Sequence, residues 1–200
     1  MIKLVKDGYN IHKDVIGMIK SNYNCYHGTI TEIVSQILEV KKFNPKYRNN
    51  HWLGNGVYFF IDDPRSAHIW PTLHSINEGR ACGVIYCKVE VYRDRLLDLD
   101  TEADLKNFEE YLKQIENEYR IECIGKTEAK VRCYVMDLLP KNDDENAIDV
   151  IKYTFLKNKY ISKTYPHSMG MGIELHGAQI CVRNQECIDK DSLKMHAYTC

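Results

Sequence analysis

From Cys82 to Val91 the chain reads Cys-Gly-Val-Ile-Tyr-Cys-Lys-Val-Glu-Val, with Ile85, Cys87, Val89 and Val91 falling on alternate positions. Successive side chains of an extended backbone point to opposite faces, so these four share one side. Such a strand cannot stand alone. Its amides and carbonyls need neighbouring strands, and its apolar side needs a covering layer. Four other stretches can serve as partners. Asn22 to His27 sets Tyr23, Cys25 and His27 on one face, and Trp52 to Phe60 reads as a glycine turn entering a buried strand. Arg95 to Asp100 is a further short strand, and Ala178 to Arg183 is another, with Ile180 and Val182 inward.

The covering layer is expected from helical spacings. Ile33, Val34, Ile37 and Leu38 form a stripe that Thr29 or Thr31 can cap, and Asp62 or Asp63 can cap a helix with Pro64 in its first turn. Leu105, Phe108, Leu112, Ile115 and Tyr119 form a second stripe, and Val131, Tyr134, Val135 and Leu138 a third, closed by Pro140. After an acidic loop at Asn142 to Glu145, Ile148, Ile151 and Phe155 fit one more helix. Strands near both ends with helices between them predict an α+β fold, not a doubly wound parallel sheet.

The 200 residues suit a single domain spanning 1–200. Charges nearly cancel, 27 basic against 28 acidic, so no global field attracts nucleic acid or membrane, and any basic site must be local. The longest apolar stretches, such as Leu53 to Ile61, are too short to span a bilayer, and the N-terminus lacks the apolar core of a signal peptide. The eight cysteines are scattered and form no C-x-x-C pair. No metal site is expected from them, and free thiols at this density favour a reducing compartment, the cytoplasm.

Three strand-borne pieces carry chemistry: Tyr26-His27-Gly28-Thr29, Gly54-Asn55-Gly56-Val57-Tyr58-Phe59-Phe60, and Gln179-Ile180-Cys181-Val182-Arg183. In this order they resemble the signature strands of the ADP-ribosyltransferase superfamily, in its His–Tyr–acid branch that includes diphtheria toxin and the poly-ADP-ribose polymerases. Gly54 to Trp70 also resembles segments of bacterial toxin and phage-defence members. The resemblance covers about a quarter of the chain, and the glycine–tyrosine piece with Ser66 beyond it is its most specific part. It implies a split mixed β-sheet of that type, with helices inserted between the signature strands.

The resemblance also implies NAD as co-substrate and a reaction that releases nicotinamide and transfers ADP-ribose. His27 would bind ribose hydroxyls, and the Gly28 backbone, beside Thr29, would pair with the nicotinamide amide. Glycine permits close backbone approach there. Gly56 would lie at the turn, Tyr58 would stack on the nicotinamide, Ser66 would donate to its amide oxygen, and Trp70 would form a second wall. The usual glutamate of the third strand is replaced by Gln179, which can hydrogen-bond a hydroxyl but cannot act as a base. Glu174 is the reserve carboxylate. Taken singly, His27 and Tyr58 read as packed core residues, the glycines as a turn, and Arg183 as a solvated strand arginine.

Two segments mix basic and aromatic residues. Lys41 to His51, with the adjacent Trp52, carries Lys41, Lys42, Lys46 and Arg48 among Phe43 and Tyr47. Lys157 to His167 carries Lys157, Lys159 and Lys163 among Tyr160 and Tyr165. That mixture suits single-stranded nucleic acid, while ordinary solvated loops have the same composition. The acceptor is therefore expected to be a macromolecule, RNA, DNA or protein. By analogy the chain would be a toxin or antiviral effector restrained by an antitoxin or inhibitor protein. Competing readings are an RNA 2′-phosphotransferase of the same fold and a non-catalytic NAD-binding interaction module.

Overall fold

The computed structural model describes residues 19–142, 144–156 and 176–197. They form an α+β architecture: one seven-stranded mixed sheet with four α-helices. Chain order is β1 (Lys20–Ile30), α1 (Thr31–Val40), β2 (Val57–Ile61), α2 (Pro64–Ile69), β3 (Cys82–Tyr92), β4 (Leu96–Asp98), α3 (Glu102–Glu122), α4 (Glu128–Leu138), β5 (Val150–Leu156), β6 (His176–Val182) and β7 (Ile188–His196). Across the sheet the order is β4-β5-β6-β2-β1-β3-β7. Only β4 and β5 run parallel. No described helix is long and apolar enough to cross a membrane.

The expected strand over 82–91 is the spine of the sheet. It pairs with β1 along its whole length, from Lys20 opposite Tyr92 to Ile30 opposite Cys82. Its inward set Ile85, Cys87, Val89 and Val91 is buried, as its alternation requires. β2 behaves differently on its two sides. It pairs with β6 from Val57 opposite Val182 to Phe60 opposite Gln179. With β1 it pairs at Cys25 opposite Ile61 and Tyr26 opposite Phe60. Beyond Tyr26 the ladder gives way to a side chain, where His27 Nδ1–H donates to the Tyr58 carbonyl at 2.8 Å.

Each face of the sheet has its own cover. On the first, Cys25, Val57, Phe59, Ile85, Ile180 and Val182 pack against Val34 and Ile37 of α1 and against Phe43. Truncating a fully buried aromatic such as Phe59 costs about 3–5 kcal/mol, so this layer contributes heavily to stability. The second face is covered in two patches. Ile151 and Cys181 pack with Leu53, with Tyr111 and Ile115 of α3, and with Met136 of α4. Phe60 and Val84 pack with Ala67 of α2.

Several expectations are corrected. Ile148, Ile151 and Phe155 do not form a helix: Val150–Leu156 is β5, held between β4 and β6. Val150 and Ile151 are both fully buried, one on each face, so the stretch has no polar alternation and mimics a helical spacing. Neither Thr29 nor Thr31 caps α1. Ile30 holds the cap position, and the Thr31 amide bonds the Ala81 carbonyl. In α3, Tyr111 and Ile115 point inward while Leu105 is exposed. In α4, Cys133 and Met136 join Val135 on the buried side. The Asp63 cap on α2 is as expected, with Pro64 following it.

Candidate functional site

The three motif pieces lie on the adjoining strands β1, β2 and β6. Strand parity then sorts their side chains. Cys25, His27, Phe59 and Ile180 face the α1 layer, while Gly28, Tyr58, Phe60, Gln179 and Cys181 face the other way. The His27 ring is thus not brought together with the Tyr58 ring and the Gln179 amide. It sits edge-on to Phe43 and Phe59, at centroid distances of 5.3 and 5.7 Å. Burial lowers the His27 pKa, opposed by the bond to the Tyr58 carbonyl, so the ring stays neutral at physiological pH. With Nδ1 as donor, Nε2 is left as an acceptor. Thr29 shares the parity of His27 and lies opposite Gly83.

Gly28 owes its identity to packing. A Cβ there would lie 1.6 Å from the Ala67 carbonyl oxygen and 3.1 Å from Pro71 Cδ, so the end of α2 rests on the β1 backbone. Gly56 is fixed in the same way, because its Cβ would come within 2.6 Å of Cys181 Sγ and of the Val182 carbonyl. Close approach is thus required at both positions, by this chain's own main chain and thiol.

Tyr58 is committed to the loop before it. Its hydroxyl donates to the Gly54 carbonyl at 2.7 Å and accepts from the Leu53 amide at 2.8 Å. Burial pushes its pKa up, and burial likewise raises the neighbouring Cys181 thiol to about 12, so neither ionises near neutrality. Gly54, with φ 74°, makes the turn. Asn55 is the hub of this loop. Its amide nitrogen donates to Asp137 Oδ2 at 2.6 Å and to the Arg48 carbonyl at 2.9 Å, and its carbonyl oxygen accepts from the Arg48 amide. Its backbone N–H also reaches Asp137 Oδ1. Sequence reasoning passed over Asn55 as a turn residue. The only signal for it was its place between two glycines, and its partner Asp137 lies far away in sequence.

Ser66 is buried at 1% exposure, and its Oγ has no hydrogen-bond partner among the described residues. It sits next to Ala67, the residue that touches Gly28. Trp70, 45% exposed, lies edge-on to Phe60 and to His74. Gln179, half-buried, is flanked across the sheet by Phe60 and by Tyr153 of β5. Tyr153 meets Phe155 at 4.8 Å, and Phe155 meets Trp52 at 5.3 Å. An aromatic row therefore crosses the second face from Trp52 to Trp70 with the Gln179 amide in its middle. Arg132 of α4 stacks on Trp52 at 4.0 Å. Tyr153, Phe155 and Arg132 were not anticipated, because β5 was read as a helix and α4 as plain core.

Arg183 is not a solvated arginine. Its guanidinium donates to the carbonyls of Leu139, Pro140 and Ile148, where it binds the chain leaving α4. The reserve carboxylate Glu174 and the Lys157 to His167 segment lie outside the described residues. Among those described, no cluster of His, Cys, Asp or Glu could hold a metal ion.

Chemically, the second face offers flat apolar rings, one primary amide and one unpartnered buried hydroxyl. It has no carboxylate at the Gln179 position. A planar heteroaromatic amide suits such a surface: rings stack on its faces, and amide and hydroxyl groups hydrogen-bond its edge. No family model matches the chain, and no solved structure matches it. It is similar to an uncharacterized protein of Methanocaldococcus jannaschii, 24% identical over 182 residues, which span 82% of this chain and 84% of that one.

Proposed function

We propose that this protein is an NAD⁺-dependent transferase that releases nicotinamide and passes ADP-ribose to a macromolecular acceptor. The observation that carries the reading is adjacency: three motif pieces distant in sequence occupy neighbouring strands, with Tyr58, Gln179 and the Gly28 backbone on one face. The buried Ser66 hydroxyl, without a partner among the described residues, fits a ligand amide, since such groups in folded proteins are nearly always bonded.

In the reaction the C1′–nitrogen bond of the nicotinamide ribose breaks, and its electron pair neutralises the pyridinium ring. A lone pair of the acceptor then forms the new bond to C1′. Trp70 and Tyr153 exclude water from the ring, Ser66 and the Gly28 backbone orient the amide, and Gln179 holds a ribose hydroxyl. Orientation and exclusion of water supply the acceleration. Gln179 cannot take a proton, so the favoured acceptor atom has a lone pair and no proton to lose, such as a phosphate oxygen. His27, from the opposite face, fixes the β2 backbone and so acts through Tyr58.

The substitution of an amide for an acid at 179 also favours a second reading, a module that binds NAD without cleaving it. The phosphotransferase reading is less well supported, because Arg183 is already committed to three backbone carbonyls. The test is free nicotinamide from NAD⁺, together with label transfer into RNA, DNA and protein pools. Wild-type protein is expected to release nicotinamide, Gln179→Ala to be slower by about tenfold or more, and Gln179→Glu to be faster, since a positioned carboxylate stabilises the positive charge that develops on the ribose as nicotinamide leaves. NAD⁺ binding with no release by wild type or Gln179→Glu would replace the transferase with the binding module.

A further inference from the structure

Between Glu39 and Asp62 the chain has no acidic residue, yet it carries Lys41, Lys42, Lys46 and Arg48. In a protein of net charge −1 this is a local excess of four positive charges within eight residues. The segment is also held in place. Phe43 exchanges two 3.0 Å hydrogen bonds with the Gln185 side chain, and Arg48 exchanges two of 2.9 Å with Asn55. Leu53 is tied to the Tyr58 hydroxyl. The anchors use backbone groups of the segment, so its charged side chains stay outward. Lys42, Lys46 and Arg48 are exposed and make no ion pair among the described residues, whereas Lys41 pairs with Asp191 at 2.9 Å.

One end of this arch borders a groove of about 760 Å³ whose walls include Lys41, Lys42, Phe43, Arg95, Gln185 and Lys190. The other end runs into the aromatic row. Tyr47 is 80% exposed and Trp52 54%, and Trp52 carries the Arg132 guanidinium on one side and Phe155 against it. Large aromatics at the surface among cations, Tyr47 open to solvent and Trp52 more than half exposed, form a platform for bases beside a rail for phosphates.

We infer that the 41–52 arch, with Arg132, binds a single strand of nucleic acid and leads it toward the Gln179 face. This rests on the transferase reading for its purpose, although binding itself does not require turnover. A protein acceptor would use apolar pockets or paired charges. The arch instead sets Lys42, Lys46 and Arg48, which make no ion pair among the described residues, beside the exposed rings of Tyr47 and Trp52, which matches a repeating anion with stackable bases. Single-stranded RNA and DNA share that chemistry, and the experiment separates them.

The probe is a labelled single-stranded oligonucleotide of roughly 12 residues, as RNA and as DNA, followed by fluorescence anisotropy without NAD⁺. With four cations engaged, a log–log salt slope near about −3 is expected, a loss of about fiftyfold between 50 and 200 mM salt. Lys46→Ala with Arg48→Ala should flatten the slope by about 1.4. Trp52→Ala should weaken binding about fivefold or more while changing the slope little. Stacking should quench tryptophan emission in Trp70→Phe but not in Trp52→Phe. Exposed lysines of α3, Lys106 and Lys113, serve as controls whose alanine variants bind normally. Absence of binding at low salt, unchanged binding by the arch variants, or equal competition by poly-glutamate would overturn the inference. Nicotinamide release without strand binding would sink this inference alone. Strand binding without release would sink the transferase alone.

Discussion

Around the β1–β2 joint, the face that carries His27 is closed by side chains, whereas the face that carries Gly28 is closed on one flank by main chain. On the first face Phe43, Phe59 and the α1 residues fill the space around the imidazole. On the second, α2 sets the Ala67 carbonyl directly against Gly28, while Trp52, Tyr153 and Trp70 stay partly exposed. Side chains can shift by a rotamer; a carbonyl at a helix end cannot move without its helix. The second face is therefore the less adjustable of the two, and it is also where the candidate site lies.

The largest expected effect tests that rigidity. Gly28→Ala forces α2 away from β1, and a substitution of this severity should destabilise the protein by about 3 kcal/mol or more. Urea denaturation of the purified variant measures it, if the variant folds at all. A change below about 1 kcal/mol would mean that α2 moves freely, and the comparison between the faces would fail.

Next is the hub of the loop. Asn55→Ala leaves Asp137 without one of its two Asn55 donors and strands the Arg48 amide and carbonyl, and stranding such partly buried groups costs about 1–3 kcal/mol. The backbone Asn55 N–H to Asp137 survives, which keeps the loss toward the lower half of that range. Because the arch is tied here, the variant should also lose strand affinity, while Trp70 on the far side of the face keeps its emission. Equal disturbance of both tryptophans would mean that the loop and α2 are one unit.

These anchors mark where sequence stopped being informative. β3 and β6 were legible because one side of each is apolar and their periods of two are clean. β7 was missed: Ile188–His196 is an edge strand with one neighbour, and its sequence Ile-Asp-Lys-Asp-Ser-Leu-Lys-Met-His shows no sustained alternation. β5 was misread because a strand buried on both faces loses its period. At the candidate site, the motif residues were found by their resemblance. The aromatic row was not, because Trp52, Phe155 and Tyr153 become neighbours only once β5 is a strand. The glycines were flagged, but the groups that exclude their side chains, a helix carbonyl at Gly28 and a thiol with a strand carbonyl at Gly56, leave no trace beside them in the sequence.

A smaller effect concerns the imidazole on the first face. Its folded pKa lies below the ordinary value, so between the two pKa values the unfolded chain binds more protons than the folded one. Stability from this group is therefore unaffected above about pH 6.5 and falls as pH drops below it, levelling once the folded ring also protonates. His51, also depressed by burial, adds a parallel contribution. Thermal melts at pH 8 and 5.5 should show a drop in wild type that shrinks in His27→Gln, which keeps a donor toward the Tyr58 carbonyl. An undiminished drop would place the titration elsewhere and leave the His27 ring solvated, contrary to a first face closed around it.

The smallest effect is the control that gives the others meaning. Gly83 lies on the first face opposite Thr29, and a Cβ there would meet Val34 Cγ2 at 3.2 Å and Met195 Cε at 3.7 Å. Both contacts are with side-chain methyl groups, and Met195 is 55% exposed. The Gly83 backbone is ordinary extended strand, so alanine gains about 0.4–1 kcal/mol from the narrower unfolded ensemble. Displacing the Val34 methyl by a few tenths of an ångström consumes much of that gain. Gly83→Ala should therefore change the urea midpoint little, within about 1 kcal/mol of wild type, with an unchanged m-value. Two glycines on paired strands, given the same extra methyl, would then differ by several-fold in cost. That contrast would trace to what each methyl meets: a branched side chain on one face, a helix backbone on the other. If both substitutions prove equally costly, α1 is as immovable as α2, and the rigidity assigned to the candidate site's flank belongs to the whole sheet.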